Sequence, residues 1–245
     1  MGAPDYQAIF KLGDDLKQDI LTLQVMNMFD KWWLEAGLDL KLSSYKVLAT
    51  QDMIGFIENV QNAETVKSIT DKFAGVMSTF DNNLILRYLQ ANNRGIKFKI
   101  AQENFRRSVA GYCLTTFILG VGDRHPSNYM VKRGGKFFHI DFGHILGHFK
   151  KKFNINRERS KVVYTKEMVR CIGDENDQEY FFNLCYYGMR VLRNKSQLLL
   201  NLMWMMISAE MPDLKTVKNL DYVKERLHLS GNDSEANEMV IFESF

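Results

Sequence analysis

Three polar side chains at fixed spacing constrain the middle of this chain more than any other feature. Asn128 follows Asp123 by five positions, and Asp141 follows Asn128 by thirteen. The residues between Asn128 and Asp141 read as two short apolar strands, 129–131 and 137–140, with a glycine-containing turn between them. A hairpin brings its two ends together. The spacing therefore predicts that Asn128 and Asp141 meet at one end of a hairpin.

The side chains at that end suit one kind of chemistry. Asp141 offers a carboxylate and Asn128 an amide carbonyl, and both are oxygen donors of the kind that Mg²⁺ prefers. Asp123 and His125 precede Asn128 and are candidates to orient or deprotonate an acceptor hydroxyl. Which of the two takes the proton stays open. Phosphoryl transfer from ATP needs groups at the attacking hydroxyl and oxygen ligands on magnesium.

A catalytic-loop Asp, an Asn five residues later and an Asp-Phe-Gly after a short hairpin are the kinase arrangement. Here the loop reads Asp-Arg-His, the reverse of the His-Arg-Asp of ordinary protein kinases. Taken singly, Asp-Phe-Gly is a common turn, and a loop histidine often bonds only to backbone. The joint spacing favours a catalytic site.

These motifs carry a family resemblance. Asp-Arg-His-x-x-Asn at 123–128 and His-Ile-Asp-Phe-Gly-His at 139–144 resemble the phosphoinositide 3-/4-kinase superfamily, which includes large related protein kinases. Residues 9–19 resemble the strand-to-helix segment of that family. The resemblance implies that Lys11 contacts ATP phosphate, where its charge offsets charge developing on the transferred group. It also places Asp19 near the phosphates, and Arg124 beside Asp123 and His125 among the catalytic residues.

The same resemblance predicts where adenine binds. Residues 51–60 are similar to the strand and hinge that receive adenine, with Glu58 and Val60 at the hinge backbone positions. Four further side chains are predicted to wall the pocket: Tyr45, Ile57, Met130 and Ile140. Ordinary core packing is the alternative for these apolar residues.

A basic segment follows Asp141. Between positions 150 and 161 there are six basic residues and one acid, Glu158. The basic residues are Lys150, Lys151, Lys152, Arg157, Arg159 and Lys161. The segment resembles the activation loop of class I phosphoinositide 3-kinases, although Asn156 replaces the first Lys of its second basic box. Clustered cations there fit a phosphorylated inositol headgroup at an anionic membrane surface. The first five of them are the predicted substrate-binding residues.

Composition bounds the class of protein. The 245 residues are 46% hydrophobic and 25% charged, which is typical of a globular domain with ample core. A net charge of +3 is too small to indicate a nucleic-acid partner. Three cysteines without metal-ligand spacing fit reduced core thiols. The absence of a secretory signal pattern favours a cytoplasmic protein, peripherally recruited to membranes.

The resemblance implies an α+β, protein-kinase-like (phosphoinositide kinase) fold, with a mostly helical C-lobe and a remnant of the N-lobe sheet. The sheet is expected at 7–12 and 45–60. Helices are expected at 15–36, 63–73, 82–93, 99–119, 178–193, 196–210 and 234–244. The expected division is 1–60 for the N-lobe remnant and hinge and 61–245 for the C-lobe, with a catalytic loop at 120–128 and an activation loop at 141–165.

The resemblance implies a lipid kinase that uses ATP and Mg²⁺ to phosphorylate the 3-hydroxyl of phosphoinositides. Two alternatives stay open. The first alternative is a Ser/Thr protein kinase, because Pro126-Ser127 resembles the protein-kinase branch of the superfamily. The second alternative is a non-catalytic binding module. It stays open because only ten residues precede Lys11, so the chain is expected to be N-terminally truncated. A regulatory subunit or small GTPase is expected to bind through domains outside these residues.

Overall fold

The computed structural model describes residues 7–51, 53–73, 82–148, 151–152, 155–156 and 162–229, the two short pairs by their backbone alone. The helices are α1 Lys17–Glu35, α2 Val66–Phe73, α3 Leu84–Asn92, α4 Ile96–Leu119, α5 Lys166–Ile172, α6 Glu175–Asn194, α7 Ser196–Met205 and α8 Asp221–Arg226. The strands are β1 Ala8–Leu12, β2 Val47–Gln51, β3 Ile54–Glu58, β4 Ala63–Thr65, β5 Tyr129–Lys132, β6 Phe137–His139, β7 Lys151–Lys152 and β8 Ile155–Asn156. The expected α+β class, mostly helical with small sheets, is confirmed.

The N-terminal sheet has the antiparallel order β1-β3-β2. Side chains alternate between its faces, so Ile9 and Lys11 share the face that lines a pocket. Phe10 and Phe56 pair across β1 and β3 on the opposite face, with ring centroids 5.4 Å apart. The predicted sheet at 7–12 and 45–60 is confirmed, and it presents Lys11 to the pocket.

Gly55 lies opposite Lys11 in this sheet. A Cβ at position 55 would lie 2.3 Å from the carbonyl oxygen of Leu48 and 2.7 Å from Cδ1 of Leu16. Both distances are shorter than van der Waals contact. The close approach of β3 to β2 and to the start of α1 therefore requires glycine here.

Helix α4 is the centre of the helical layer, and it packs against α1, α3, α5, α6 and β6. Its C-terminal half is buried on all sides. Gly120 ends it in the left-handed conformation with φ 56°, which is the usual helix stop. Because the predicted catalytic loop begins at Gly120, the buried helix fixes the start of that loop.

The predicted hairpin is confirmed, and it carries a third strand. The order is β4-β5-β6, with Tyr129 opposite His139 and Val131 opposite Phe137. The predicted helix at 63–73 was wrong at its start, because residues 63–65 form β4 instead. Backbone pairing with β5 overrides local helix preference there.

The hairpin is seated on α4. The backbone N–H of Phe137 donates to the hydroxyl of Ser108 at 2.8 Å. A Cβ at Gly135 would lie 1.8 Å from the carbonyl oxygen of Ala101. Only a glycine lets the turn approach the helix this closely.

Four other predicted helices agree with α1, α3, α4 and α6 to within three residues at each end. The helix predicted at 196–210 is α7 followed by a 3₁₀ turn at Met206–Ala209. Helices α5 and α8 were missed. The helix predicted at 234–244 lies outside the described residues.

The three cysteines are buried free thiols, as expected. Within the part of the chain that the structure describes, no helix is both long enough and apolar enough to cross a membrane.

Candidate active site

A pocket of about 320 Å³ lies where the N-terminal sheet, the start of α1 and the hairpin sheet meet. It gathers ten of the residues singled out in the sequence: Lys11, Asp19, Tyr45, Ile57, Glu58, Val60, Asn128, Met130, Ile140 and Asp141. Five further residues complete its lining: Ile9, Asp14, Leu16, Asn59 and Thr65. Residues far apart in the chain thus converge on one cleft.

The apolar end of the pocket has walls from both sheets. Ile57 comes from β3, Met130 from β5 and Ile140 from the residue after β6. The backbone N–H of Glu58 donates to the carbonyl of Lys46 at 2.8 Å, so the carbonyl is the backbone group that Glu58 can offer to a ligand. An apolar slot beside a strand end is a suitable shape for a planar ring.

Asn128 and Asp141 close the polar end. The backbone N–H of Ile140 donates to the carbonyl of Asn128 at 3.0 Å, which places Asp141 one residue beyond the pair. The side-chain amide of Asn128 donates to the carbonyl of Asp123 at 2.8 Å. That bond uses the amide nitrogen and leaves Oδ1 as the side-chain atom suited to a cation.

The donor set fits magnesium. Among the described residues there is no group of three or more His, Cys, Asp or Glu side chains that could hold a metal ion. Mg²⁺ is commonly held by one or two carboxylates while phosphate oxygens and waters complete its octahedron. A carboxylate from Asp141 and an amide oxygen from Asn128 match that pattern when a nucleotide occupies the pocket.

Asp19 is a buried acid at the same end. Burial is the main cause that raises the pKa of its carboxyl to about 6, and the nearby charges of Asp141 and Asp14 add to the rise. The backbone N–H of Phe142 donates to Asp19 Oδ1 at 3.0 Å and acts in the opposite direction, as does the charge of Lys11. The ammonium of Lys11 pairs with Asp14 at 3.1 Å.

Tyr45 lines the pocket and also contacts the backbone of Asp141. Its ring is buried, and burial raises the pKa of its hydroxyl far above the ordinary range. A hydrogen bond between this hydroxyl and the backbone of Asp141 acts in the opposite direction on its pKa. Tyr45 therefore touches the segment that carries the predicted metal ligand.

Asp123 and His125 lie on the loop that leads from α4 to Asn128, and in the described structure they are not part of the pocket lining. Asp123 has a left-handed backbone with φ 59°. His125 is exposed, and its Nδ1 accepts from the backbone N–H of Ser127 at 3.3 Å. Both residues precede the polar end of the pocket on the same loop.

Arg124 faces the protein interior. Its guanidinium donates to the carbonyl of Gly122 at 2.6 Å, to that of Ile140 at 2.9 Å and to that of Asp141. The guanidinium also lies 3.4 Å from Nδ1 of His139. Burial, together with the Arg124 charge, holds the pKa of His139 well below its usual range, so His139 is neutral. These contacts make Arg124 a link between the catalytic loop and the backbone of Asp141.

The basic segment is described only in part. Lys151 and Lys152 form β7, which pairs with Ile155 and Asn156 of β8. The side chains of these four residues, and the predicted substrate-binding residues Lys150, Arg157 and Arg159, lie outside the described part of the structure. Their predicted contact with substrate stays a prediction.

The structure also adds residues that the sequence reasoning missed. Ile9 stands two positions before Lys11 in the same strand, and that period-2 spacing was a signal for its place in the pocket. Gln18 contacts Phe142 of the Asp-Phe-Gly segment, and Asp213, near the other end of the chain, contacts Ile145 just after it. For Asp213 no local pattern signals this contact.

Comparison with known proteins now decides the family. The family model for phosphatidylinositol 3- and 4-kinase matches residues 5–216. The chain belongs to the phosphatidylinositol 3- and 4-kinase family.

Curated relatives agree with this assignment. The chain is 41% identical over 245 residues to phosphatidylinositol 3-kinase 1 of Dictyostelium discoideum, covering 98% of this chain and 16% of that protein. It is 38% identical to phosphatidylinositol 3-kinase 2 of the same organism, covering 94% of this chain and 12% of that protein. It is 41% identical to phosphatidylinositol 3-kinase C2 domain-containing subunit gamma of Rattus norvegicus, covering 93% of this chain and 15% of that protein. The chain thus spans a small part of the length of these relatives.

Proposed function

We propose that the natural protein carrying this chain transfers the γ-phosphoryl group of ATP to the 3-hydroxyl of a phosphoinositide. One observation carries the proposal: a single pocket holds Lys11, Asp19, Asn128 and Asp141 together with an apolar slot beside the strand end at Glu58. The names of the relatives, all phosphatidylinositol 3-kinases, support a lipid acceptor and the 3-position.

The proposed roles follow from charge and placement. Lys11 binds phosphate oxygens, and to do so its ammonium leaves the carboxylate of Asp14 with which it is now paired. Asn128 and Asp141 hold Mg²⁺, which when bound neutralises charge on the phosphates. Asp123 and His125 orient the acceptor hydroxyl, and one of the two takes its proton. Arg124 and Tyr45 hold the backbone of Asp141.

The acceptor is proposed to dock at the basic segment after Asp141. Lys150, Lys151, Lys152, Arg157 and Arg159 supply positive charge for ring phosphates and for anionic lipid around them. We also propose that the protein is cytoplasmic and is recruited peripherally to membranes. A regulatory subunit or small GTPase is proposed to bind other parts of the natural protein.

A protein Ser/Thr kinase is the second candidate, because Pro126-Ser127 in the catalytic loop resembles that branch of the superfamily. The natural protein, given labelled ATP and Mg²⁺, is to be offered phosphoinositide vesicles and a mixture of Ser/Thr peptides in parallel. We expect the labelled phosphate to be transferred to the lipid, at the 3-position. Label in peptides alone supports the protein-kinase candidate. Label in neither supports a non-catalytic binding module.

A further inference from the structure

Gln18 and Asp213 form a reciprocal pair although 195 positions separate them. The side-chain amide of Gln18 donates to Oδ2 of Asp213 at 3.0 Å, and the backbone N–H of Asp213 donates back to Gln18 Oε1 at 3.1 Å. Gln18 is only 1% exposed. A buried amide bonded at both its nitrogen and its oxygen is fixed in orientation.

Gln18 holds the Asp-Phe-Gly segment itself, and Asp213 holds the backbone two residues beyond it. The amide of Gln18 donates to the carbonyl of Phe142 at 3.0 Å. Asp213 Oδ2 accepts from the backbone N–H of Ile145 at 2.9 Å. The N–H of Phe142 is bonded to Asp19, the next residue of α1. The peptide groups on both sides of Phe142 are therefore tied to the first turn of α1.

The turn that carries Asp213 and the neighbouring His148 also help to place its carboxylate. Asp213 lies in a turn closed by the bridge between Met211 and Leu214, and Oδ1, its other carboxylate oxygen, faces Nδ1 of His148 at 3.9 Å. The turn fixes the backbone N–H that bonds Gln18. The same turn places the carboxylate between Gln18 and the backbone N–H of Ile145.

The residue before Phe142 needs such support. Asp141 has φ 63°, a left-handed conformation that is uncommon for a residue with a Cβ and persists where the surroundings determine it. In this conformation the Asp141 side chain lines the pocket. A segment freed from its hydrogen bonds would relax toward ordinary backbone angles and turn the carboxylate away.

We propose that Gln18 and Asp213 are positioning residues that hold Asp141 in its metal-binding orientation. The inference rests on the proposed function for the metal role of Asp141. It adds two residues, neither of which lines the nucleotide pocket in the described structure. Residues that orient a metal ligand commonly change metal affinity by about 10–100-fold when they are replaced.

The test measures metal binding directly, in the natural protein with ADP present. Mn²⁺ serves as the probe, and its free concentration is followed by electron paramagnetic resonance. Gln18→Met keeps the length and volume of the side chain and removes the amide. Asp213→Ala removes the carboxylate, whereas Asp213→Asn keeps an oxygen that can accept from both Gln18 and Ile145.

The matched control is Gln102→Ala. Gln102 donates from its side-chain amide to the carbonyl of Cys171 at 3.0 Å, so its loss removes the same type of hydrogen bond away from the pocket. We expect Gln18→Met and Asp213→Ala to weaken Mn²⁺ binding by about tenfold or more. Asp213→Asn and Gln102→Ala are expected to change it less than twofold.

Three results would overturn the inference. Wild-type Mn²⁺ affinity in both Gln18→Met and Asp213→Ala shows that the pair does not position Asp141, and an equal loss in Gln102→Ala shows a general effect on folding. If Asp213→Ala does not fold, Gln18→Met alone decides. No Mn²⁺ binding by the wild type overturns this inference and the proposed metal site together. A wild type that binds Mn²⁺ but phosphorylates no lipid overturns only the proposed function.

Discussion

The carboxylate of Asp19 accepts a 3.0 Å hydrogen bond from the backbone N–H of Phe142, although 123 residues separate the two in the chain. The bond joins the first turn of α1 to the Asp-Phe-Gly segment inside the pocket. It also leaves an acid in a buried place, next to the carboxylates of Asp14 and Asp141. The site thus contains a concentration of negative charge that suits a cation and costs stability without one.

Replacement of Asp19 tests that cost. The folded-state pKa of about 6 lies above the ordinary 3.8, so the native protein binds the extra proton between pH 3.8 and 6. Wild-type stability from this group therefore falls as pH rises through that window. Asp19→Asn keeps an oxygen acceptor for Phe142, and we expect it to raise the unfolding free energy by about 1–3 kcal/mol at pH 7 to 8.

Thermal unfolding in the absence of metal, from pH 4 to pH 8, checks this expectation. The difference between Asp19→Asn and wild type should vanish near pH 4, where both forms are uncharged at position 19. The control Asp221→Asn removes an exposed acid paired with Lys224 and should show no such pH dependence. A constant difference across the range would contradict the burial of a charged Asp19.

Most of the architecture was predictable because local patterns determine it. The 3.6-residue period predicted α1 and α4, and the spacing of Asn128 and Asp141 predicted the hairpin. The pocket gathers ten of the residues that the motifs indicated, whereas Asp123 and His125 are not among its lining residues. Strand β4 was missed, since three residues without alternation become a strand only by pairing with β5. Asp213 was missed for a related reason: its contact with Gln18 depends on how distant segments pack.

Arg124 gives a second prediction. Its planar guanidinium reaches carbonyls of Gly122, Ile140 and Asp141 at once. A lysine ammonium is a point charge that cannot span that arrangement. We expect Arg124→Lys to lower kcat by about 100-fold, because displacement of a reacting group by an ångström costs that much, with a much smaller change in KM for ATP.

Steady-state kinetics on lipid vesicles measures both parameters for Arg124→Lys. Arg190→Lys changes an exposed arginine whose guanidinium lies over the ring of Tyr186, and it should behave as wild type. An unchanged kcat in Arg124→Lys would show that the backbone of Asp141 is held without Arg124.

Gly55 gives a third prediction, on stability. A methyl group at this position meets the Leu48 carbonyl and the Leu16 side chain, so strands β2 and β3 must separate. Overpacking of this kind costs about 1–3 kcal/mol. Gly55→Ala should lower the unfolding free energy by that amount and reduce ATP affinity, because Lys11 is paired with position 55.

Gly134→Ala is the control for Gly55→Ala, since a Cβ at position 134 meets no atom within 4 Å. Chemical denaturation compares the two variants. Equal stability of Gly55→Ala and wild type would show that the sheet accommodates the methyl group without strain.

The basic segment gives a fourth prediction. Replacement of Lys150, Lys151 and Lys152 by Ala should depress turnover of multiply phosphorylated lipids most and that of phosphatidylinositol least. Each cation near an anionic surface contributes about 1 kcal/mol. The effect should shrink as salt rises, because exposed charges are screened over about 10 Å at 0.1 M.

Vesicle assays with a series of phosphoinositides, at low and high salt, measure the effect of the triple replacement. Asn156→Lys adds a cation to the segment and should sharpen preference for a bisphosphorylated headgroup. An equal loss on every lipid would make the segment structural and would contradict its role in reading the headgroup.

In the proposed function, the pocket around Asp141 performs phosphoryl transfer to lipid. The most direct measurement is transfer of labelled phosphate from ATP to phosphoinositide vesicles by the natural protein and three variants. We expect Asp141→Ala to fall to background, Asn128→Ala to retain somewhat more because water can partly replace a neutral ligand, and the surface variant Asp221→Ala to match wild type. Near-normal transfer by Asp141→Ala would show that this pocket does not carry out the phosphoryl transfer.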